Sequence, residues 1–230
     1  MKKLRYPCLI LDHDDTVVDS TACLHWPAFL EGMTLLRPGT TMTLDEYFAM
    51  NCDPGIFRYY AEVAKLTPEE TAFEKQFWLN YIAGRVPHVY PGMEQVIRRQ
   101  KALGGAVCVV SHSNSETILR DYRAHGLPEP DLIYGGERPE AERKPLPFPV
   151  EDILARLGCQ KSEALVVDDL LTGQEMAAAA GVDLAAACWA HHVPAIRQKM
   201  ERAARYCCLS PADLYKVLFG EALPAQGADA

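Results

Sequence analysis

Apolar positions along this chain follow two rhythms. Residues 8–11, 106–110 and 164–167 are unbroken apolar runs, the pattern of strands buried on both faces. Between them the apolar residues return every three or four positions, as on helices with one buried side. Met93, Val96, Ile97 and Leu103 share one such face, closed by Gly104-Gly105, and further helices are expected at 116–125, 148–157 and 174–180. Short strands are expected at 131–134 and 183–189, then an edge strand and a terminal helix within 207–218 and a frayed tail over 221–230. Strand and helix in alternation, with continuous strands, predict an α/β fold whose parallel sheet is covered on both faces.

Residues 19–88 break that alternation. They are rich in aromatics and helix signals and contain no convincing buried strand. Thr67-Pro68-Glu69-Glu70 has the pattern of a helix start, with Thr as N-cap, Pro at the first helical position and Glu three residues on. Phe73, Phe77 and Tyr81 then repeat every four residues and predict one apolar face in a small helical bundle. Asn51-Cys52-Asp53-Pro54-Gly55 is a turn cluster between two short helical stretches, and Gly84 with residues 87–92 marks the return.

Polar chemistry is concentrated where the apolar runs stop. The first ends at Asp12-His13-Asp14-Asp15-Thr16, the second at Ser111-His112-Ser113-Asn114, and the third at Asp168-Asp169. Sites in parallel sheets lie at the carboxyl ends of the strands, so these three ends are expected to meet. Carboxylates this close repel one another and need a counter-charge, which a divalent cation usually supplies.

Bulk properties narrow the reading. The 230 residues are 49% hydrophobic and 23% charged, ordinary for a globular chain, with a formal charge of −8 that argues against a nucleic-acid surface. The eight cysteines form no C-x-x-C or zinc-like array, and Cys8, Cys108 and Cys188 sit in apolar runs as small core residues. Met1-Lys2-Lys3-Leu4 is basic, but the apolar run after it is too short for a signal peptide, and no stretch nears membrane-spanning length. The expectation is a protein of the reducing cytoplasm, with no membrane partner. Oligomeric state leaves no trace in the sequence.

Asp12-His13-Asp14-Asp15-Thr16 resembles the first motif, Asp-x-Asp-x-Thr, of the haloacid dehalogenase-like hydrolase superfamily. Ser111 resembles the second motif, Lys144-Pro145-Leu146-Pro147 the third, and Val166-Val167-Asp168-Asp169, with Gly181 twelve residues on, the fourth. The helices between the first two motifs resemble the cap of the phosphoglycolate phosphatase-like and phosphoglucomutase-like subfamily. The resemblance implies a Rossmann-like core, residues 1–18 and 89–230, with a helical cap, residues 19–88, inserted after the first strand.

It also implies roles. Asp12 would be the nucleophile that forms an aspartyl-phosphate and Asp14 the general acid and base. Asp12, Asp14 (through its backbone carbonyl) and Asp169 would hold Mg2+, with Asp168 close behind. Lys144 would bridge Asp12 and the phosphate, while Ser111 and the backbone N–H of His112 would bind phosphate oxygens. The implied activity is Mg2+-dependent hydrolysis of a small phosphorylated metabolite. A phosphomutase using the same intermediate and a non-catalytic binding module on this scaffold are the alternatives; in metal-free dehalogenation Asp14 has no task.

The chain departs from the family pattern at several positions. Asp15 stands where Gly is usual, which calls for a left-handed backbone and adds a charge beside the site. Position 173 is Gly where many relatives carry a second acid, and Asp168 replaces the common Gly or Glu. His13 occupies a variable position and is expected to contribute only its backbone. Arg58 is expected to be a solvated arginine, and His191-His192 to lie near the pocket rim without a metal role.

Overall fold

The computed structural model describes residues 4–224. Six strands form one sheet: β1 (Cys8–Leu11), β2 (Ala106–Val110), β3 (Leu132–Tyr134), β4 (Ala164–Asp168), β5 (Asp183–Ala187) and β6 (Tyr206–Cys208). Their order is β3-β2-β1-β4-β5-β6, and every neighbouring pair is parallel. The first strand is therefore central, and all four of its residues are buried.

Side chains alternate across the sheet, so each strand feeds two cores. Leu9, Leu11, Val107, Val109, Leu165 and Val167 pack on one face with Met93, Ile97, Ile118, Tyr122 and Leu214. Those partners come from α5 (Met93–Ala102), α6 (Ser115–Ala124) and α10 (Pro211–Phe219). Cys8, Ile10, Cys108, Val110 and Val166 pack on the other with Ile153, Met176 and Ile196. These belong to α7 (Phe148–Leu157), α8 (Leu171–Ala180) and α9 (Pro194–Ala203). Both faces are covered, as unbroken apolar strands require.

Between β1 and residue 88 the described chain is helical: α1 (Trp26–Leu36), α2 (Leu44–Cys52), the short α3 (Ile56–Arg58) and α4 (Pro68–Ile82), with five-residue π turns at Thr21–His25 and Tyr59–Val63. Thr67 and Glu70 form the expected capping box, and Thr43 and Glu46 form a second. Phe29, Met33, Tyr47, Met50 and Tyr60 make a separate small core. Helix α2 divides its contacts, because Phe48 belongs to the sheet's core beside Val193 and Ile196.

Two expectations need correction. The Phe73, Phe77 and Tyr81 stripe is only partly covered: Phe77 and Tyr81 are half-buried, Phe73 is exposed, and the one fully buried residue of α4 is Glu74, beside the Tyr60 hydroxyl. Phe77 packs closely against Gly32 of α1, while Phe73, one turn earlier on the same face, is left exposed. Helix α9 is an addition to the expected elements, although Pro194 at its start and the Ile196–Met200 spacing announce it. Of the frayed tail expected at 221–230, residues 225–230 lie outside the described residues, as do Met1, Lys2 and Lys3.

Candidate active site

Strand register brings the acids together. Leu11 pairs with Val109 on one side and Val167 on the other, and the Asp12 N–H donates to the Val167 carbonyl at 2.9 Å. Asp12 and Asp168 therefore stand level on adjacent strands and point to the face covered by α7 and α8. Lys144, just ahead of α7, enters from that face. Its Nζ lies 2.8 Å from Asp12 Oδ1 and 2.9 Å from Asp168 Oδ2, with all three side chains buried. Asp168 Oδ1 accepts from the Leu170 N–H at 2.9 Å as α8 begins. Gly173 is explained by the same carboxylate, since a Cβ there would collide with Asp168. An acid at 168 and glycine at 173 go together.

Asp12, Asp168 and Asp169 each place a carboxylate oxygen within 4.8 Å of the others. Among the described residues neither oxygen of Asp169 has a hydrogen-bond partner. Burial, then Asp15, Asp168 and Asp12, push Asp169 well above the ordinary carboxylate range. Burial likewise pushes Asp12 up to about 7; Lys144 opposes this, and Asp168 and Asp14 add to it. Three crowded carboxylates, two orphaned oxygens and one lysine leave uncompensated negative charge. That donor set, all oxygen, fits a hard divalent cation such as Mg2+.

The Asp14 carboxylate points elsewhere. It accepts from Ser20 Oγ at 2.6 Å, Ser113 Oγ at 2.6 Å and Ser111 Oγ at 3.3 Å. His25 Nε2 lies 3.5 Å away. Burial pushes Asp14 up, but the contacts from His25, the charge of His13 and the bond from Ser113 outweigh it and hold Asp14 well below the usual range. The π turn at Thr21–His25 presents His25, whose Nδ1 accepts from Trp78 Nε1 at 3.1 Å. Burial pushes the His25 imidazole down, but the hydrogen bond and charge of Asp14, with Asp15 and Asp121, outweigh it and hold the ring above its ordinary value. Sequence reading missed His25 and Trp78, which sit 53 residues apart on separate helical stretches.

The remaining positions separate clearly. Asp15 has φ 59°, the left-handed conformation expected for a residue in glycine's place, and its Oδ1 accepts from the Thr21 N–H at 3.2 Å. Burial pushes Asp15 up to about 7 as well, against the Thr21 bond. His13 turns away from the acids, toward Asp121 Oδ2 at 3.1 Å and the Tyr122 ring. Ser111 is buried and its Oγ also accepts from the Ser113 N–H at 3.1 Å, while the His112 side chain is exposed. Arg58 pairs with Glu62 in solvent. His191 is buried, 4.0 Å from Asp169 and against the Phe48 ring.

Residues 9–187 match the haloacid dehalogenase-like hydrolase family. Solved structures share the fold at low identity. A protein described as a predicted phosphoglycolate phosphatase from Haemophilus somnus has 18% identity and a TM-score of 0.75, over 93% of this chain and 98% of that one. A family hydrolase from Deinococcus radiodurans, solved with bound phosphate and sodium, has 22% identity and a TM-score of 0.71, over 97% and 100%. CbbY from Rhodobacter sphaeroides, solved with xylulose-(1,5)bisphosphate, has 20% identity and a TM-score of 0.67, over 91% and 96%. No curated protein matches the chain by sequence. With four motifs in order along a matched span that takes in most of its length, this chain belongs to the haloacid dehalogenase-like hydrolases.

Proposed function

We propose that this protein is a Mg2+-dependent phosphatase that hydrolyses a small phosphorylated metabolite through an aspartyl-phosphate on Asp12. The observation that carries this reading is Asp12 at the end of the central strand, with Lys144 Nζ 2.8 Å from its carboxylate and the unpartnered Asp169 beside it. The phosphate and the sugar bisphosphate in the Deinococcus and Rhodobacter structures support the substrate class.

Asp12 would attack phosphorus as the ester oxygen leaves with a proton from Asp14, whose carboxyl the approaching phosphate anion would raise from its low resting value. Water would then give a proton to Asp14 and attack the same phosphorus, releasing inorganic phosphate and restoring Asp12. Lys144 would hold one phosphoryl oxygen against Asp12. Ser111, whose hydroxyl otherwise donates to Asp14, and the His112 N–H would hold others. Asp12 and Asp169, with the Asp14 backbone carbonyl, would carry Mg2+, and Asp168 would fix Lys144 from behind. The bound ion supplies charge neutralisation between the anionic nucleophile and the anionic phosphate. Residues 19–88 would act as a cap on the core formed by 1–18 and 89–230, closing to exclude water.

A screen of small phosphorylated metabolites, with Mg2+ and with chelator, tests this. The expected result is phosphate release that chelation abolishes and Ca2+ suppresses. Undiminished turnover after exhaustive chelation overturns the metal site. Transfer from the enzyme to a hexose monophosphate in preference to water, giving a bisphosphate, replaces the phosphatase with a mutase.

A further inference from the structure

Just beyond the acids that follow the first strand, the segment leading out to the helices runs beside the segment that returns. The Asp19 N–H donates to the His88 carbonyl at 2.9 Å and the Tyr90 N–H to the Val17 carbonyl at 3.0 Å. Three metal-ligating side chains meet at this crossing. Cys23 Sγ is 3.3 Å from Asp19 Oδ1, and His88 Nδ1 is 3.2 Å from Asp19 Oδ2. One ligand atom from each residue lies within 4.8 Å of the other two. None of the three has a part in the proposed hydrolysis.

The donor set differs in kind from the one at the strand ends. A thiol, an imidazole and a carboxylate suit zinc-class ions, whereas Mg2+ selects oxygen alone. Zinc bonds to such ligands span about 2.0–2.3 Å, so in a tetrahedral site the ligand atoms stand roughly 3.3–3.8 Å apart. Cys23 and His88 each stand at about that distance from one oxygen of the Asp19 carboxylate, on either side of it, and small side-chain rotations would close the three around one ion. We propose that Asp19, Cys23 and His88 form a binding site for a zinc-class cation, with water as the fourth ligand, joining the outgoing and returning segments at the root of the helical region.

Binding exchanges a proton for the metal. Burial, then the hydrogen bond to Asp19, push the Cys23 thiol up to about 12, so without a cation it keeps its proton and donates to Asp19. A divalent ion stabilises the thiolate and turns the Asp19 charge from an opponent into a co-ligand; the proton leaves to solvent. One S–H bond is lost and one metal–sulfur bond is gained, with no change of oxidation state. The ion then links Asp19 and Cys23 to His88 across a crossing otherwise held by hydrogen bonds.

Cd2+ is the informative probe, because sulfur-to-cadmium charge transfer absorbs in the ultraviolet and an all-oxygen site gives no such band. The titration uses the full chain with excess Mg2+ present. It carries Cys207→Ser, since the Cys188 and Cys207 sulfurs lie 3.2 Å apart and form a second soft pair. One equivalent of Cd2+ should develop the band, Zn2+ should displace it, and Cys23→Ser should remove it. His88→Gln alters a side chain that is 79% exposed, so folding is not at stake. It should weaken Zn2+ binding roughly 10- to 100-fold, the loss that even an outer supporting group produces. A band that persists in Cys23→Ser, no band at all, or a Zn2+ affinity unmoved by His88→Gln overturns the site.

Discussion

The carboxyl edge of the sheet and the helical segment after β1 are held by different means. At the edge, backbone pairing dictates where side chains go: once Leu11 is registered against Val167, Asp12 and Asp168 are neighbours, and Lys144 has two carboxylates to meet. The helical segment has no such ladder. Its own core is five residues, its longest helix buries a glutamate, and Phe57 and Phe73 remain exposed. Chemistry that needs fixed geometry sits where hydrogen-bonded register sets positions, and the aromatic-rich helices are left to pack more loosely against it.

The largest effect that sharpens this contrast is on turnover. Asp12→Asn keeps size and shape but removes the carboxylate we propose as nucleophile. It should lower phosphate release roughly ten-thousand-fold or more while the thermal midpoint holds. Phosphate release near the wild-type rate would remove the edge from the chemistry altogether. Next comes a paired test on stability. Phe48→Ala, on the helix that shares the sheet's core, should cost about 3–5 kcal/mol in urea unfolding. Phe73→Ala, on the exposed side of α4, should stay within about 0.5 kcal/mol. Equal costs would mean that the helical segment is as tightly built as the sheet.

The same difference decided what the sequence made legible. Unbroken apolar runs name buried strands, and an acid directly after such a run is placed by the strand itself, so Asp12, Asp168 and Asp169 could be assembled without coordinates. Four-residue spacing names a helix but not its partner. The stripe therefore named a face, of which Phe77 packs against Gly32 while Phe73, at the start of the helix, has no cover. His25 reaches Asp14 only through a π turn, and Trp78 meets it from a helix beginning more than forty residues later. Neither contact leaves a local pattern. Gly173 was visible as a departure, but its cause, the Asp168 carboxylate lying over it, is a packing fact.

A third prediction uses the charge at the edge. In the metal-free protein Asp12 and Asp15 are pushed up to about 7 and Asp169 well above the ordinary range. The unfolded chain releases these protons near pH 4, so between about pH 4 and 7 the folded chain binds more of them and stability falls as pH rises. Asp14, held low, acts oppositely, but its contribution is lost only as pH falls below the unfolded value, outside that window. The free energy of urea unfolding in chelator should therefore drop by a few kcal/mol between pH 5 and 8, and Mg2+ should restore most of the loss. A flat profile in chelator would mean that the acids are not crowded as described.

The smallest effect isolates one departure from the family pattern. Asp15 occupies a left-handed backbone position and accepts the Thr21 N–H, and asparagine can do both. Asp15→Asn thus removes a charge while leaving the turn intact. At pH 8 without metal, where Asp15 must ionise beside Asp14 and Asp169, the variant should be more stable by about 1–2 kcal/mol. At about pH 3.5 the wild-type carboxyl holds its proton in the folded and unfolded chain alike, so the two proteins should unfold together. Asp15→Gly keeps the backbone freedom but loses the hydrogen bond to Thr21, and should gain less at pH 8 by about 1 kcal/mol. Should Asp15→Asn stabilise equally at both pH values, relief of backbone strain would account for the gain and charge would not. Should it destabilise at pH 8, Asp15 would belong to the set that balances the edge and not to its excess.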